Sequence, residues 1–150
     1  KLGNKVVGLC LGGQLCADVL GAKVYAHAKG WEIGWWDVHL KTTKNLIGFE
    51  KDQTIKFSQH HRYIFEAPRG SQIVAHNEWW ETQGFLWNDQ VLAFQFHPER
   101  DLPGNKVSST EEDPREEGMT QCPSEIVTLG NQHQPTAAKW FNSVLDGFFK

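Results

Sequence analysis

The order of apolar and polar positions divides the chain into short extended segments, with one helical stretch near the start and another at the end. Lys5-Val6-Val7-Gly8-Leu9 is an almost continuous apolar run, the pattern of a strand covered on both faces of an α/β sheet. It passes without a loop into Cys10-Leu11-Gly12-Gly13-Gln14. From Gln14 to Leu20 the apolar residues Leu15, Val19 and Leu20 fall at helical spacing, and Gly21 stands where a helix stop belongs. Further strands are predicted over Val24–Ala28, Gly30–Lys41, Ile55–Phe57, Tyr63–Phe65 and Gln72–Asn77, with Pro68-Arg69-Gly70 as a turn. Gly84–Trp87 and Val91–Phe96 form a predicted hairpin around Asn88-Asp89. Pro135–Phe149 reads as a closing helix, with Trp140, Phe141, Val144 and Leu145 on one side.

This succession predicts one α/β domain with a mixed sheet over residues 1–150. Residues 100–123 are the exception. Their Pro, Gly, Ser and Thr content and the acidic residues Glu111, Glu112, Asp113, Glu116 and Glu117 suit a solvated surface excursion. A central strand that opens at Lys5 needs neighbours on both sides, so the domain is expected to be incomplete at its N-terminus.

Composition changes this picture little. The chain is 39% hydrophobic and 22% charged, with net charge -3, which gives no electrostatic reason to expect a nucleic acid or membrane partner. No apolar run approaches a membrane span. Three cysteines (Cys10, Cys16 and Cys122), widely spaced and without a CxxC pair, suit neither a disulfide framework nor a zinc site and point to a reducing, cytoplasmic setting. Most of the seven tryptophans are expected in packing.

The candidate chemistry begins at Gly8-Leu9-Cys10-Leu11-Gly12, a nucleophile elbow with Cys in place of the usual Ser. A side chain on a sharp strand-to-helix turn is held in a strained conformation at the sheet edge. Glycines two residues to either side are expected because a Cβ there would meet the crossing backbone. The helix N-terminus beneath the sulfur favours thiolate, and the Leu11 N–H would face a developing oxyanion. The plainer alternative is a buried structural Cys at a glycine-rich turn. His97 supplies the base that tips the balance. Glu99 lies two residues on, on the same side of an extended chain, where it can hold one imidazole nitrogen while the other addresses Cys10. Pro98 fixes the backbone between them. His60 and His61 are adjacent on an extended chain, point opposite ways and are not expected to hold a metal. His27, His39, His76 and His133 are expected to be surface or internally satisfied residues.

Gly8-Leu9-Cys10-Leu11-Gly12-Gly13-Gln14, followed by Phe94-Gln95-Phe96-His97-Pro98-Glu99, resembles the class I glutamine amidotransferases, and most closely the stand-alone group similar to GMP synthase. Glu32-Ile33-Gly34-Trp35 is similar to that group's E-I-G-W/Y segment. His61, with Phe65, Pro68 and Gly70 after it, falls at the family's HG(D)xxF-type loop, which here reads His60-His61-Arg62-Tyr63. The resemblance runs from about Lys5 to Glu99.

It implies a flavodoxin-like three-layer α/β/α fold with a mixed, mostly parallel sheet. It also implies hydrolysis of the glutamine side-chain amide through a γ-glutamyl thioester. Cys10 would be the nucleophile, His97 the acid–base group and Glu99 its orienting carboxylate. Leu11 would be an oxyanion donor, and Gln14 and His61 would lie near the bound glutamine; no metal or cofactor is implied. In the family a second oxyanion donor comes from a glycine-rich loop upstream of the elbow strand. Ammonia would pass to an acceptor on a synthetase partner, since the sequence shows no synthetase domain. A γ-glutamyl peptidase or hydrolase using the same triad, and a non-catalytic amidotransferase-like binding module, remain open beside this reading.

Overall fold

The computed structural model describes residues 3–43, 46–100 and 118–150. The elements run β1 (Val6–Leu9), α1 (Leu11–Val19), β2 (Val24–Ala26), β3 (Trp31–Leu40), β4 (Gln53–His61), β5 (Tyr63–Phe65), β6 (Gln72–His76), β7 (Gly84–Trp87), β8 (Val91–Phe94), β9 (Gly118–Thr120) and α2 (Pro123–Phe148). The main sheet has the order β1-β8-β7-β6-β3-β4, with β9 paired to β3, and β2 and β5 form a separate ribbon.

The sheet is mixed, as expected, but among the described residues parallel pairing is the minority. β1–β8 and β3–β9 are parallel, whereas β3–β4, β3–β6, β6–β7 and β7–β8 are antiparallel. The short connections from β6 to β7 and from β7 to β8 impose antiparallel pairing there, because a parallel pair needs a crossover of a dozen residues or more. The turn between β7 and β8 places both Asn88 (φ 50°) and Asp89 (φ 53°) in the left-handed region. Two residues of that kind match the twist of the hairpin they join.

Alternation along the strands fills two layers. Leu92, Phe94 and Phe96 face α2, where Trp140, Phe141, Val144 and Phe148 join Phe49 and Phe57 in the larger core. The intervening Ala93 faces α1 and packs with Ala17, Phe65 and Phe85 in the smaller one. Helices therefore cover both faces, which is the three-layer arrangement expected. Phe57 stacks on Phe96 at 4.3 Å between ring centroids, and Trp140 lies 5.0 Å from Phe57. Side chains of this size each stabilise the fold by roughly 1.5–3 kcal/mol when buried.

Three expectations need correction. β4 spans Gln53–His61 rather than Ile55–Phe57; its polar residues conceal a strand held by a continuous ladder to β3. The closing helix begins at Pro123, and Pro135 lies inside it rather than near its start. Of the excursion expected over 100–123, residues 101–117 lie outside the described residues, while Gly118–Thr120 are strand β9 and Cys122 caps α2.

The sheet curls. β4 ends the strand order, yet the backbone N–H of His97, just beyond β8, donates to the Ser58 carbonyl of β4 at 2.8 Å. That closure brings the far edge of the sheet back over the end of β8, beside the turn that carries Cys10.

Candidate active site

Cys10 stands between β1 and α1 with φ 49° and ψ -108°, a conformation that costs a non-glycine residue on the order of 1–3 kcal/mol. Its backbone N–H donates to the Phe94 carbonyl at 2.8 Å, which locks the elbow to β8. A Cβ on Gly8 would lie 2.6 Å from the Gly12 carbonyl oxygen, so the glycine before the elbow is required, as expected. The expectation for Gly12 fails: a Cβ there meets open space. The second obligatory glycine is Gly13, whose Cβ would lie 2.7 Å from the Phe94 carbonyl oxygen, where α1 crosses β8.

Leu11 is the first residue of α1, so its N–H has no acceptor within the helix. Gln14 sits one turn into α1. Its side-chain amide donates to the Tyr63 carbonyl at 3.0 Å and to Gln95 Oε1 at 3.4 Å. Gln95 is fully buried, and its Nε2 donates to Cys10 Sγ at 3.9 Å. The thiol itself lies 4.0 Å from the His60 carbonyl.

His97 Nδ1 lies 2.7 Å from Glu99 Oε1, with the two side chains 25% and 42% exposed. A carboxylate accepts, so Nδ1 carries the proton. Burial disfavours the imidazolium, but hydrogen bonds to Cys10 and Glu99, with their charges, outweigh it and raise the His97 pKa to about 9. With Nδ1 engaged by Glu99, the interaction with Cys10 falls to Nε2. The structure therefore brings Cys10, His97 and Glu99 together, with Leu11 next to the cysteine in the chain and Gln14 linked to the thiol through Gln95.

His61 takes a different place from the one expected of a substrate contact. It is 4% exposed, its Nε2 lies 3.1 Å from both Glu32 Oε2 and Gln59 Oε1, and its Nδ1 finds no partner among the described residues. His60, its neighbour on β4, is exposed, as the alternation of a strand demands. Gln59 and Gln83 are polar residues of the site that sequence reasoning did not single out, and Glu32 and Gln95 entered it only as members of motifs, without a role.

Two of the other histidines, His27 and His39, are satisfied locally. His27 packs on Trp79 and Trp80 and accepts from the Lys29 N–H, and His39 pairs with Thr54. No group of three or more metal-ligating side chains occurs among the described residues, and no described helix is long and apolar enough to cross a membrane.

A cysteine on a strand-to-helix elbow, backed by an imidazole and a carboxylate at the adjacent strand end, has the form of a thiol-dependent acyl-transfer site. The sequence pattern of the glutamine amidotransferase class-I family matches residues 2–112, and the chain belongs to that family. It is 40% identical over 101 residues to the glutamine-hydrolysing GMP synthase of Clostridium perfringens, covering 66% of this chain and 19% of that protein. It is 29% identical over 99 residues to gamma-glutamyl peptidase 2 of Arabidopsis thaliana, covering 64% and 40%. A crystal structure of a glutamine amidotransferase from Thermotoga maritima superposes with a TM-score of 0.79 at 25% identity, over 96% of this chain and 62% of that one. The chain thus spans less than half the length of these curated relatives.

Proposed function

We propose that this chain hydrolyses the side-chain amide of glutamine, with Cys10 as nucleophile. Cys10 Sγ, its proton already held by His97, attacks the amide carbon. The tetrahedral oxyanion forms beside the Leu11 N–H. His97 protonates the leaving nitrogen, ammonia departs, and a γ-glutamyl thioester remains on Cys10. Water, deprotonated by His97, adds to the thioester carbon; glutamate leaves and the thiol is restored. Glutamine and water thus give glutamate and ammonia. Glu99 orients the imidazole and stabilises its charged form, and Gln14 borders the space over the thiol.

The observation that carries this reading is the elbow thiol of Cys10, held at φ 49°, beside an imidazole whose Nδ1 lies 2.7 Å from Glu99 Oε1; Cys10 and Glu99 together raise the His97 pKa to about 9. The ammonia would be consumed by a synthetase partner, as the similarity to GMP synthase suggests, and the three free thiols fit a reducing, cytoplasmic setting.

The similarity to a γ-glutamyl peptidase favours a second substrate class, larger γ-glutamyl amides, by the same steps. Tyr63, half exposed where the resemblance would place the acid of the HG(D) loop, would then border the bulkier leaving group.

Ammonia and glutamate release from glutamine, measured on the wild type and Cys10→Ala, tests the proposal. Release that vanishes in Cys10→Ala supports it, and release that survives the substitution contradicts it. Turnover of γ-glutamyl peptides in preference to glutamine would select the second substrate class.

A further inference from the structure

Glu32 is the second residue of β3, and its side chain is wholly buried. Its carboxylate accepts from three side chains: Asn77 Nδ2 at 2.6 Å, Gln83 Nε2 at 2.9 Å and His61 Nε2 at 3.1 Å. The contacts close a ring. Gln59 Nε2 donates to Gln83 Oε1 at 3.1 Å, which turns Gln59 Oε1 toward His61 Nε2, also 3.1 Å away. Both neighbours of that nitrogen are acceptors, so Nε2 carries the proton and donates to both. A buried ring in which each side chain fixes its neighbour's orientation is rigid while complete and costly once one member is lost.

Two backbone paths lead from this ring to the thiol. Gln59 and His61 alternate along β4 with Ser58 and His60. The Ser58 carbonyl accepts the His97 N–H at 2.8 Å, and the His60 carbonyl lies 4.0 Å from Cys10 Sγ. On the second path the Gln83 carbonyl accepts the Gln95 N–H at 2.9 Å, and the Gln95 amide donates to Cys10 Sγ. The ring therefore sits behind both walls that bound the cysteine, without touching it.

We infer that Glu32, through the buried ring it closes with His61, Gln59 and Gln83, is a positioning residue that sets the placement of the Cys10 thiol against His97. The inference rests on Cys10 as the nucleophile proposed above. It also assigns His61 to the support of the site rather than to contact with substrate. Glu32→Gln keeps the size of the side chain but turns an NH2 group toward donors, so at least one buried donor loses its acceptor. The β4 end and Gln95 then shift relative to Cys10.

The test is alkylation of the full chain by iodoacetamide at neutral pH, followed separately at each cysteine by mass spectrometry. Cys16, half-buried with a thiol pKa raised by burial, and exposed Cys122 serve as internal references. Glu32→Gln is expected to slow alkylation of Cys10 by about tenfold while the rates at Cys16 and Cys122 stay as in the wild type. In glutamine turnover, kcat is expected to fall on the order of 10²-fold with KM nearly unchanged. An unchanged rate at Cys10, or acceleration at all three cysteines together, would overturn the inference, the latter because it marks general loosening. If Glu32→Gln melts below the assay temperature, His61→Gln is judged by the same rates. Loss of glutamine turnover in the wild type would contradict the proposed reaction alone, since the alkylation rates need no turnover to decide the role of Glu32.

Discussion

Raising the pH from 6 to 10 strips the proton from His97, and the fold should weaken as it goes. In the unfolded chain this imidazole titrates near 6.5; in the fold, partnered by Cys10 and Glu99, it titrates at about 9. A group whose pKa is raised by folding contributes its full stabilisation below the unfolded value and loses it as the pH climbs through the folded one. The window is therefore pH 6.5 to 9, and stability falls across it. At 1.36 kcal/mol per pH unit, the shift corresponds to roughly 3 kcal/mol. Urea denaturation followed by tryptophan fluorescence at pH 6 and pH 9.5, on the wild type and His97→Gln, measures the contribution of the ring together with its partners, because titrating groups that do not interact with it cancel in the difference. Cys10→Ala removes one of the two partners, so in that variant the ring should titrate lower and the pH-dependent loss should shrink. A wild type whose stability relative to His97→Gln is the same at both pH values would refute the reasoning.

The elbow glycines should separate cleanly in thermal melts. Gly13→Ala forces a Cβ against the Phe94 carbonyl and is expected to cost roughly 1–3 kcal/mol, whereas Gly12→Ala enters open space on a helix and should gain roughly 0.5–1 kcal/mol; equal effects would contradict the packing described. Trp140 touches Phe49, Phe57, Phe94 and Phe96 and donates to the Gly48 carbonyl, so Trp140→Ala should cost about 3–5 kcal/mol in denaturant titration. Pro135→Ala restores a backbone donor inside α2 and should raise the melting temperature, by roughly 1 kcal/mol of stability; a lowered melting temperature would count against a continuous helix.

Features set by a few adjacent residues were legible in the sequence. The elbow at Cys10, the hairpin at Asn88-Asp89 and the spacing of His97 and Glu99 each depend on local backbone geometry, and each appears where the residues predict. Features set by tertiary pairing were not. The polar run Ser58-Gln59-His60-His61 hides the end of a strand that only its ladder to β3 and the bridge at His97 reveal. Pro135 signals a helix start by local rules, yet apolar residues on both sides of it, Ile126 and Trp140 among them, bury against the sheet and carry the helix through. Gly13 outranks Gly12 because the constraint comes from Phe94, far away along the chain. Glu32 and His61 gave no local sign of the buried ring they share, because its members come from β3, β4 and the segment before β7.

The central claim is that Cys10 carries the γ-glutamyl group. Rapid acid quenching of the wild type during reaction with glutamine, followed by peptide mass spectrometry, tests it most directly. The account predicts a γ-glutamyl adduct on the peptide containing Cys10, absent from Cys10→Ala and lengthened in lifetime when His97 is replaced by Gln. An adduct on Cys16 or Cys122, or glutamate release that proceeds with no adduct in Cys10→Ala, would contradict it.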